Sequence, residues 1–529
     1  MRFDLFLASS FPVLAAVLLE CLKVDDDRVH DDNRRQAMMN QPVARRIYGV
    51  ACLMVAMLTA SAADAAPESA VTTAGAATPW RAGAARINIT PSKMMWMAGY
   101  GSRTEPAHGK LTELWAKALV VEDAAKNRGL IITSDLIGIS GAQTQRVCAA
   151  LADRFGLQRH QIILNASHTH SGPVVGKSLG PLHYLGVDEH QRALIDEYEV
   201  ELQSKLVELV AAAIDALQPA RLQWGCGFES FAVNRRENPA DQVPARRDQG
   251  TLLGPVDHDV PVLSVRDANG QLVAVLFGYA CHATCLSLQH WSGDYPGYAQ
   301  IELEAKYPEC VAMFWAGCGG DQNPLPRRTI ELAEEYGVRL AAAVETVLSA
   351  ALPALPAELT TKLLIVEAPL TEVPTRSDLE ADVKAAQEAE LKAELKSDSS
   401  RVPQSVDYQR RWAEFLLAKI DAEGELKPWY PYPVSVWTIG NQIDFVALGG
   451  EVVVDYALRL KRERYGRRTW VAAYSHDVMA YIPSLRVLKE GGYEGGESNV
   501  YYGLPAVWGD QIENTIVNAV HQLVPLKNP

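Results

Sequence analysis

The chain has 529 residues, 48% of them hydrophobic and 22% charged, with a formal net charge of −14 at pH 7. That composition belongs to an ordinary globular protein, long enough for one large domain or two to three smaller ones. An acidic chain without a basic run argues against nucleic acid and anionic membrane surfaces as partners.

Residues 1–66 stand apart. Ala44-Arg45-Arg46 is followed by an apolar run over 47–61 and then by Ala63-Asp64-Ala65. A basic stretch, a short apolar core and an A-x-A site together read as a secretory signal peptide, and the run is too short to span a membrane comfortably. An earlier apolar run over 5–19 precedes Asp25-Asp26-Asp27, which places the expected true start at Met38 or Met39; an N-terminal anchor is the rival reading. The mature protein is thus expected to begin near Ala66, to lack a transmembrane segment, and to work in the periplasm or outside the cell. Export permits disulfides, but the spacing of Cys148, Cys226, Cys281, Cys285, Cys310 and Cys318 fixes no pairing.

Residues 67–85 are rich in small and polar residues and read as a linker. A first strand is expected over 86–90, ended by Pro91-Ser92, and then a glycine-containing apolar loop over 94–102. Strands are expected over 114–121 and 130–133, and a helix over 142–155. The β-branched run 162–164 reads as a buried strand, and it leads into Ser167-His168-Thr169-His170-Ser171-Gly172-Pro173. A helix follows over 189–217, ended by Pro219. Segments 262–265 and 272–278 form a hairpin around Asn269-Gly270, and the second runs into Cys281-His282-Ala283-Thr284. A strand over 311–315 leads to Gly320-Asp321-Gln322-Asn323-Pro324. Helices are expected over 330–351 and, as a solvated charged segment, over 378–396. A last hairpin, 434–439 with 443–448, leads to Gly449-Gly450-Glu451. Irregular alternation with hairpins predicts an α/β fold: mixed β-sheets with flanking helices in a single large domain over 86–529.

Several of these strands end in a polar or glycine-rich turn carrying a candidate ligand: His168, His282, Asp321 and Glu451. Residues two apart in an extended chain point to one side, so His168 and His170 could face the same site, and neutral His is the commonest metal ligand. Taken singly, each residue also reads as a turn former or surface group; Asp294 is a further candidate acid. Together they favour a hydrolytic metal site. A His-x-His also opens amidohydrolase barrels, but those need eight regular βα units, and the hairpins argue against them.

From about Arg86 to Gly503 the chain resembles the neutral ceramidase family, secreted zinc amidases that cut the N-acyl bond of ceramide. Ser167-His-Thr-His-Ser-Gly-Pro173 looks like the family's most distinctive motif. The resemblance implies that His168 binds zinc and that His170 lies in the catalytic pocket. It also assigns His282, Glu451 and Tyr481 to the zinc, and Arg235 and Tyr493 to the pocket. His170, Arg235 or Tyr493 would then donate to a developing oxyanion, and Asp321 would orient the attacking water or a ligating His. One departure stands out. The family's nucleophilic serine sits in a Gly-Asp-x-Ser-Pro-Asn turn, and here Asn323 takes its place. A carboxamide cannot form an acyl-enzyme. The chain also stops soon after the matched region, without the Ig-like domain of longer relatives. The expected function is a secreted Zn2+-dependent amidase that cleaves an N-acyl bond, as in a ceramide-like lipid, with zinc-activated water. The alternatives are a metal-dependent hydrolase of another ester or amide, and an inactive zinc-binding scaffold. Should a covalent intermediate form, Ser171, Thr284 and Ser292 are the candidate nucleophiles.

Overall fold

Two sheets stacked face to face organise the molecule, and the ends of their parallel strands carry the candidate site. The computed structural model describes residues 80–395, 404–464 and 466–525; the leader and residues 67–79 lie outside the described residues. The first sheet contains Trp80–Asn88 (β1), Trp115–Glu122 (β2), Arg128–Ser134 (β3), Ile162–Ala166 (β4), Gln218–Phe228 (β5), Asp259–Asp267 (β6), Leu272–Tyr279 (β7) and Val311–Ala316 (β8). Its order is β8-β7-β6-β5-β1-β2-β3-β4. The second contains Leu359–Pro369 (β9), Trp429–Ile439 (β10), Ile443–Leu448 (β11) and Thr469–Ala472 (β12), in that order. Most neighbours run antiparallel; the β3–β4, β7–β8 and β11–β12 pairs are parallel. The expected α/β fold with mixed sheets is what the structure shows.

The inner faces share one core, in which Trp315, Leu263 and Ile131 of the first sheet meet Trp437, Phe445 and Trp470 of the second. Helices cover the outer faces. Gly141–Phe155 (α1) and Glu189–Asp215 (α2) pack over one part of the first sheet, and Asp294–Lys306 (α3) and Ile330–Leu348 (α4) over the other. Asp455–Glu463 and Ile512–Leu523 cover the second sheet. Layers of this kind arise because each strand presents alternate residues to opposite faces, and both faces here are apolar.

Two expectations need correction. The first strand begins at Trp80, not at residue 86, so residues 80–85 belong to the sheet rather than to the linker. Its run of Ala and Gly hides the strand signal, and packing explains the small residues: a Cβ on Gly83 would come within 2.2 Å of the Ala213 carbonyl of α2. The charged helix expected over 378–396 is Arg376–Leu395, and it is not simply solvated. It pairs with an unexpected helix, Gln404–Glu423, around buried Leu379, Ala413 and Leu416. None of the six cysteines named above forms a disulfide. No described helix is long and apolar enough to cross a membrane.

The parallel pairs matter most for function, because their carboxyl ends converge and hand the chain to loops there. Asn165 at the end of β4 fastens three of these ends. Its Oδ1 accepts the Ala316 N–H of β8 at 3.0 Å. Its Nδ2 donates to the Ala473 carbonyl at 2.8 Å and to Ser475 Oγ at 3.1 Å, just past β12.

Candidate metal centre

Past the end of β4, His168 adopts a left-handed backbone conformation with φ 60°. The two histidines of the His-x-His therefore do not converge by simple strand alternation. A tight turn with a conformation uncommon for a non-glycine residue brings them together. Their Nε2 atoms lie 3.2 Å apart. His282 follows β7, Glu451 follows β11 and Tyr481 follows β12, and all of these side chains meet at one point. Glu451 Oε2 lies 3.0 Å from both His168 Nε2 and His282 Nε2, and Tyr481 Oη lies 3.2 Å from His282 Nε2.

The outer ring nitrogens fix the tautomers. His168 Nδ1 is 2.6 Å from the Ile137 carbonyl, and His282 Nδ1 is 2.6 Å from the Gly319 carbonyl. A carbonyl only accepts, so each Nδ1 carries the proton and each Nε2 presents a lone pair inward. Burial, with Arg235 acting in the same sense, pulls the His282 imidazole down to about 4, which keeps it neutral. Two lone pairs thus face a carboxylate oxygen that has no hydrogen-bond donor of its own. Buried acceptors gathered in this way call for a cation. Bonds of about 2.0–2.2 Å to nitrogen and oxygen would set ligand atoms about 3.0–3.5 Å apart, in keeping with the separations found. The residues present therefore fit a metal ion. The structure also brings His170 within reach, since His168, His170 and His282 by themselves form a group that could bind one.

Above this group opens a cavity of about 810 Å³, lined among others by His170, Arg235, Thr284, Asn323, Tyr481 and Tyr493. Arg235 is held by Glu494, with Nε 2.7 Å from Oε1, and its Nη2 donates to Tyr481 Oη at 3.1 Å. Tyr493 packs at 5.3 Å from the Tyr481 ring and is 43% exposed, which places it at the mouth. Asn323 sits on the wall, 3.5 Å from Thr284 Oγ1. Of Ser171, Thr284 and Ser292, only Thr284 lines the cavity.

The two aspartates belong to the scaffold. The Asp321 carboxylate accepts from the Asn234 side chain, the Gln322 side chain and the Val454 N–H, and its carbonyl accepts the Arg235 N–H at 2.9 Å. It does not orient a histidine, as expected from sequence; the Gly319 carbonyl does that for His282. Asp294 accepts from the backbone N–H groups of Cys285, Leu286 and Tyr295, and so braces the loop after His282. Two tyrosines were not anticipated. Tyr502 donates to Glu451 Oε1 through a short hydrogen bond, and the Tyr474 ring stacks on His168 at 4.4 Å. Neither sits in a turn with a ligand-like pattern; the only signal was the paired Tyr501-Tyr502 before Gly503.

Residues 80–324 match the family model described as Neutral/alkaline non-lysosomal ceramidase, N-terminal. Over this segment the chain is similar to the neutral ceramidases. It is 30% identical over 258 residues to the neutral ceramidase of Pseudomonas aeruginosa, across 46% of this chain and 37% of that protein. It is 26% identical over 263 residues to neutral ceramidase B of Dictyostelium discoideum, across 47% of this chain and 36% of the relative. The match thus spans little more than a third of each curated ceramidase. The fold is shared more widely. The solved structure of the Pseudomonas aeruginosa neutral ceramidase superposes with a TM-score of 0.61 at 23% identity, over 85% of this chain and 76% of that one. A structure described as "Ceramidase complexed with C2" gives 0.62 at 21% identity over the same shares. The ceramidase-like segment holds His168, His170, Arg235, His282 and Asn323; Glu451, Tyr481 and Tyr493 join them only through the fold.

Proposed function

We propose that this chain is an exported, zinc-dependent amidase of neutral ceramidase type that hydrolyses an N-acyl bond. One observation carries the reading: two inward imidazole lone pairs face a buried carboxylate oxygen that has no hydrogen-bond donor, at 3.0 Å, beneath a cavity. Two His, a carboxylate and a phenol suit a borderline ion such as zinc. When bound, zinc would polarise an acyl carbonyl and lower the pKa of its water to roughly 7.

The rest falls to side chains already placed. His168 and His282 would hold the ion through Nε2, with orientations locked by backbone carbonyls. Glu451 would complete the set while Tyr502 fixes its second oxygen. Arg235, kept in place by Glu494, points at Tyr481 and into the cavity, where it and Tyr493 could donate to the oxygen that gains charge. One such donor is worth about 3 kcal/mol.

Asn323 decides between two routes. A neutral carboxamide on the wall can position water or substrate but cannot carry an acyl group. Water therefore attacks directly, with no covalent intermediate. Purified protein screened with and without zinc should hydrolyse N-acyl amides in preference to esters. Asn323→Ala should cost about 1–2 kcal/mol in kcat/KM, as for one neutral hydrogen bond. Rapid-quench mass spectrometry should find no acylated protein; a trapped adduct would sink direct attack and point to Thr284. Asn323 also favours the second reading, an inactive zinc-binding scaffold. Bound zinc without turnover of any amide or ester would establish that one instead.

The leader supports export. N-terminal sequencing of secreted material should find a start near Ala66, and a cytoplasmic product beginning at Met1 would overturn this part.

A further inference from the structure

Four arginines line the cavity, and they fall into two unlike pairs. Arg235 and Arg236 are neutralised: Glu494 lies 2.7 Å from Arg235 Nε and 2.6 Å from Arg236 Nη1, and Glu490 lies 3.1 Å from Arg236 Nη2. Arg327 and Arg328 are not. Among the described residues, neither lies within ion-pair distance of a carboxylate. Arg327 Nη1 donates to the buried Thr284 hydroxyl at 2.9 Å. Arg328 Nη1 donates to Tyr100 Oη at 2.7 Å, and its guanidinium lies 4.8 Å from the centre of that ring. Glu237, the other acid of the lining, pairs with neither.

Both guanidiniums are held, which separates them from loose surface charges. Arg328 has φ 92°, an uncommon conformation for a residue with a side chain, and its N–H is tied to the Cys285 carbonyl at 2.7 Å. Strain of this sort persists where the surroundings over-determine it, and it clusters at ligand clamps. Their anchors also reach the metal centre: Thr284 is two residues past His282, and the Tyr100 ring packs on His170 with centroids 4.8 Å apart. The result is an uncompensated double positive charge on one wall, in a protein whose net charge is −14.

We propose that Arg327 and Arg328 form a seat for an anionic group of the substrate, so that the preferred substrates are N-acyl amides carrying a carboxylate or a similar oxyanion. This rests on the amidase reading and names its substrate class. Guanidinium forks bind carboxylates through paired, charge-assisted hydrogen bonds, and a partly enclosed cavity strengthens them. A neutral ceramide-like amide would leave the seat unfilled.

The test compares N-dodecanoylglycine with N-dodecanoylethanolamine, which share an acyl chain and differ in charge, on the full-length zinc-loaded protein. The acid should be preferred by about 10- to 100-fold in kcat/KM, chiefly through a lower KM. In Arg327→Gln and in Arg328→Gln the ratio of the two should fall at least about fivefold, whatever the absolute rates do. Absence of a preference in the wild type overturns the proposal. So does an equal loss on both substrates in the variants, because the arginines would then serve the reaction or the fold. Should neither amide be cleaved, calorimetry of N-dodecanoylglycine on metal-stripped protein still decides. Binding weakened about tenfold by Arg328→Gln upholds the seat even though the amidase reading has failed, and binding indifferent to both arginines rejects it.

Discussion

Glu451→Ala should leave the protein with less than about a tenth of the metal bound by the wild type and at least about 100-fold less active. Removing this carboxylate takes away a negative charge at the point where the lone pairs of His168 and His282 meet. Metal content by plasma mass spectrometry and turnover, measured on one preparation, give the answer. Tyr502→Phe provides the calibration. It removes only the donor to Glu451 Oε1, and loss of an outer partner of this kind costs about 10–100-fold in affinity or activity. If Glu451→Ala kept full metal occupancy, the ion would have to sit on His168, His170 and His282 alone, a group the structure also permits. His282→Ala would then lose the metal and Tyr481→Phe would not.

The second large effect concerns stability. Asn165→Ala should lower the free energy of unfolding by about 2–4 kcal/mol, because a buried N–H at Ala316 and a buried carbonyl at Ala473 lose their shared partner. Chemical denaturation at a fixed metal load would measure it. Ser475→Ala, which removes one hydroxyl from the same junction, should cost about 1 kcal/mol. A loss below about 0.5 kcal/mol for Asn165→Ala would mean that the strand ends are held by their backbone bridges alone.

Much of the frame could be read from sequence. The hairpins at 262–278 and 434–448 announced themselves by turn residues between apolar runs, and both are present with the expected partners. The His-x-His was visible because two scarce residue types stand side by side. What stayed hidden did so for physical reasons. β1 is built from Ala and Gly because a helix lies close against it, so hydrophobic patterning had little to report. The carbonyls that orient His168 and His282 belong to Ile137 and Gly319, and a backbone group leaves no trace in residue identity. Asp321 looked catalytic because it stands in a glycine-rich turn beside the family's nucleophile position. Only the fold shows its oxygens occupied by Asn234, Gln322 and Val454. Tyr502 reaches Glu451 from 51 residues away, a distance over which spacing carries no information.

The junction at Asn165 also bears on the order in which the protein is made. The partners it joins, Asn165 and Ala473, are 308 residues apart, and Glu451 and Tyr481 lie in the same late part of the chain. On a growing polypeptide the two early histidines emerge long before the carboxylate that completes their site. Contacts so distant in sequence form slowly, since a long loop must close before it is rewarded. The ceramidase-like segment 80–324 therefore carries the recognisable motif and the three histidines without Glu451 or Tyr481. The candidate centre gains its carboxylate and its phenol last, with the final third of the chain.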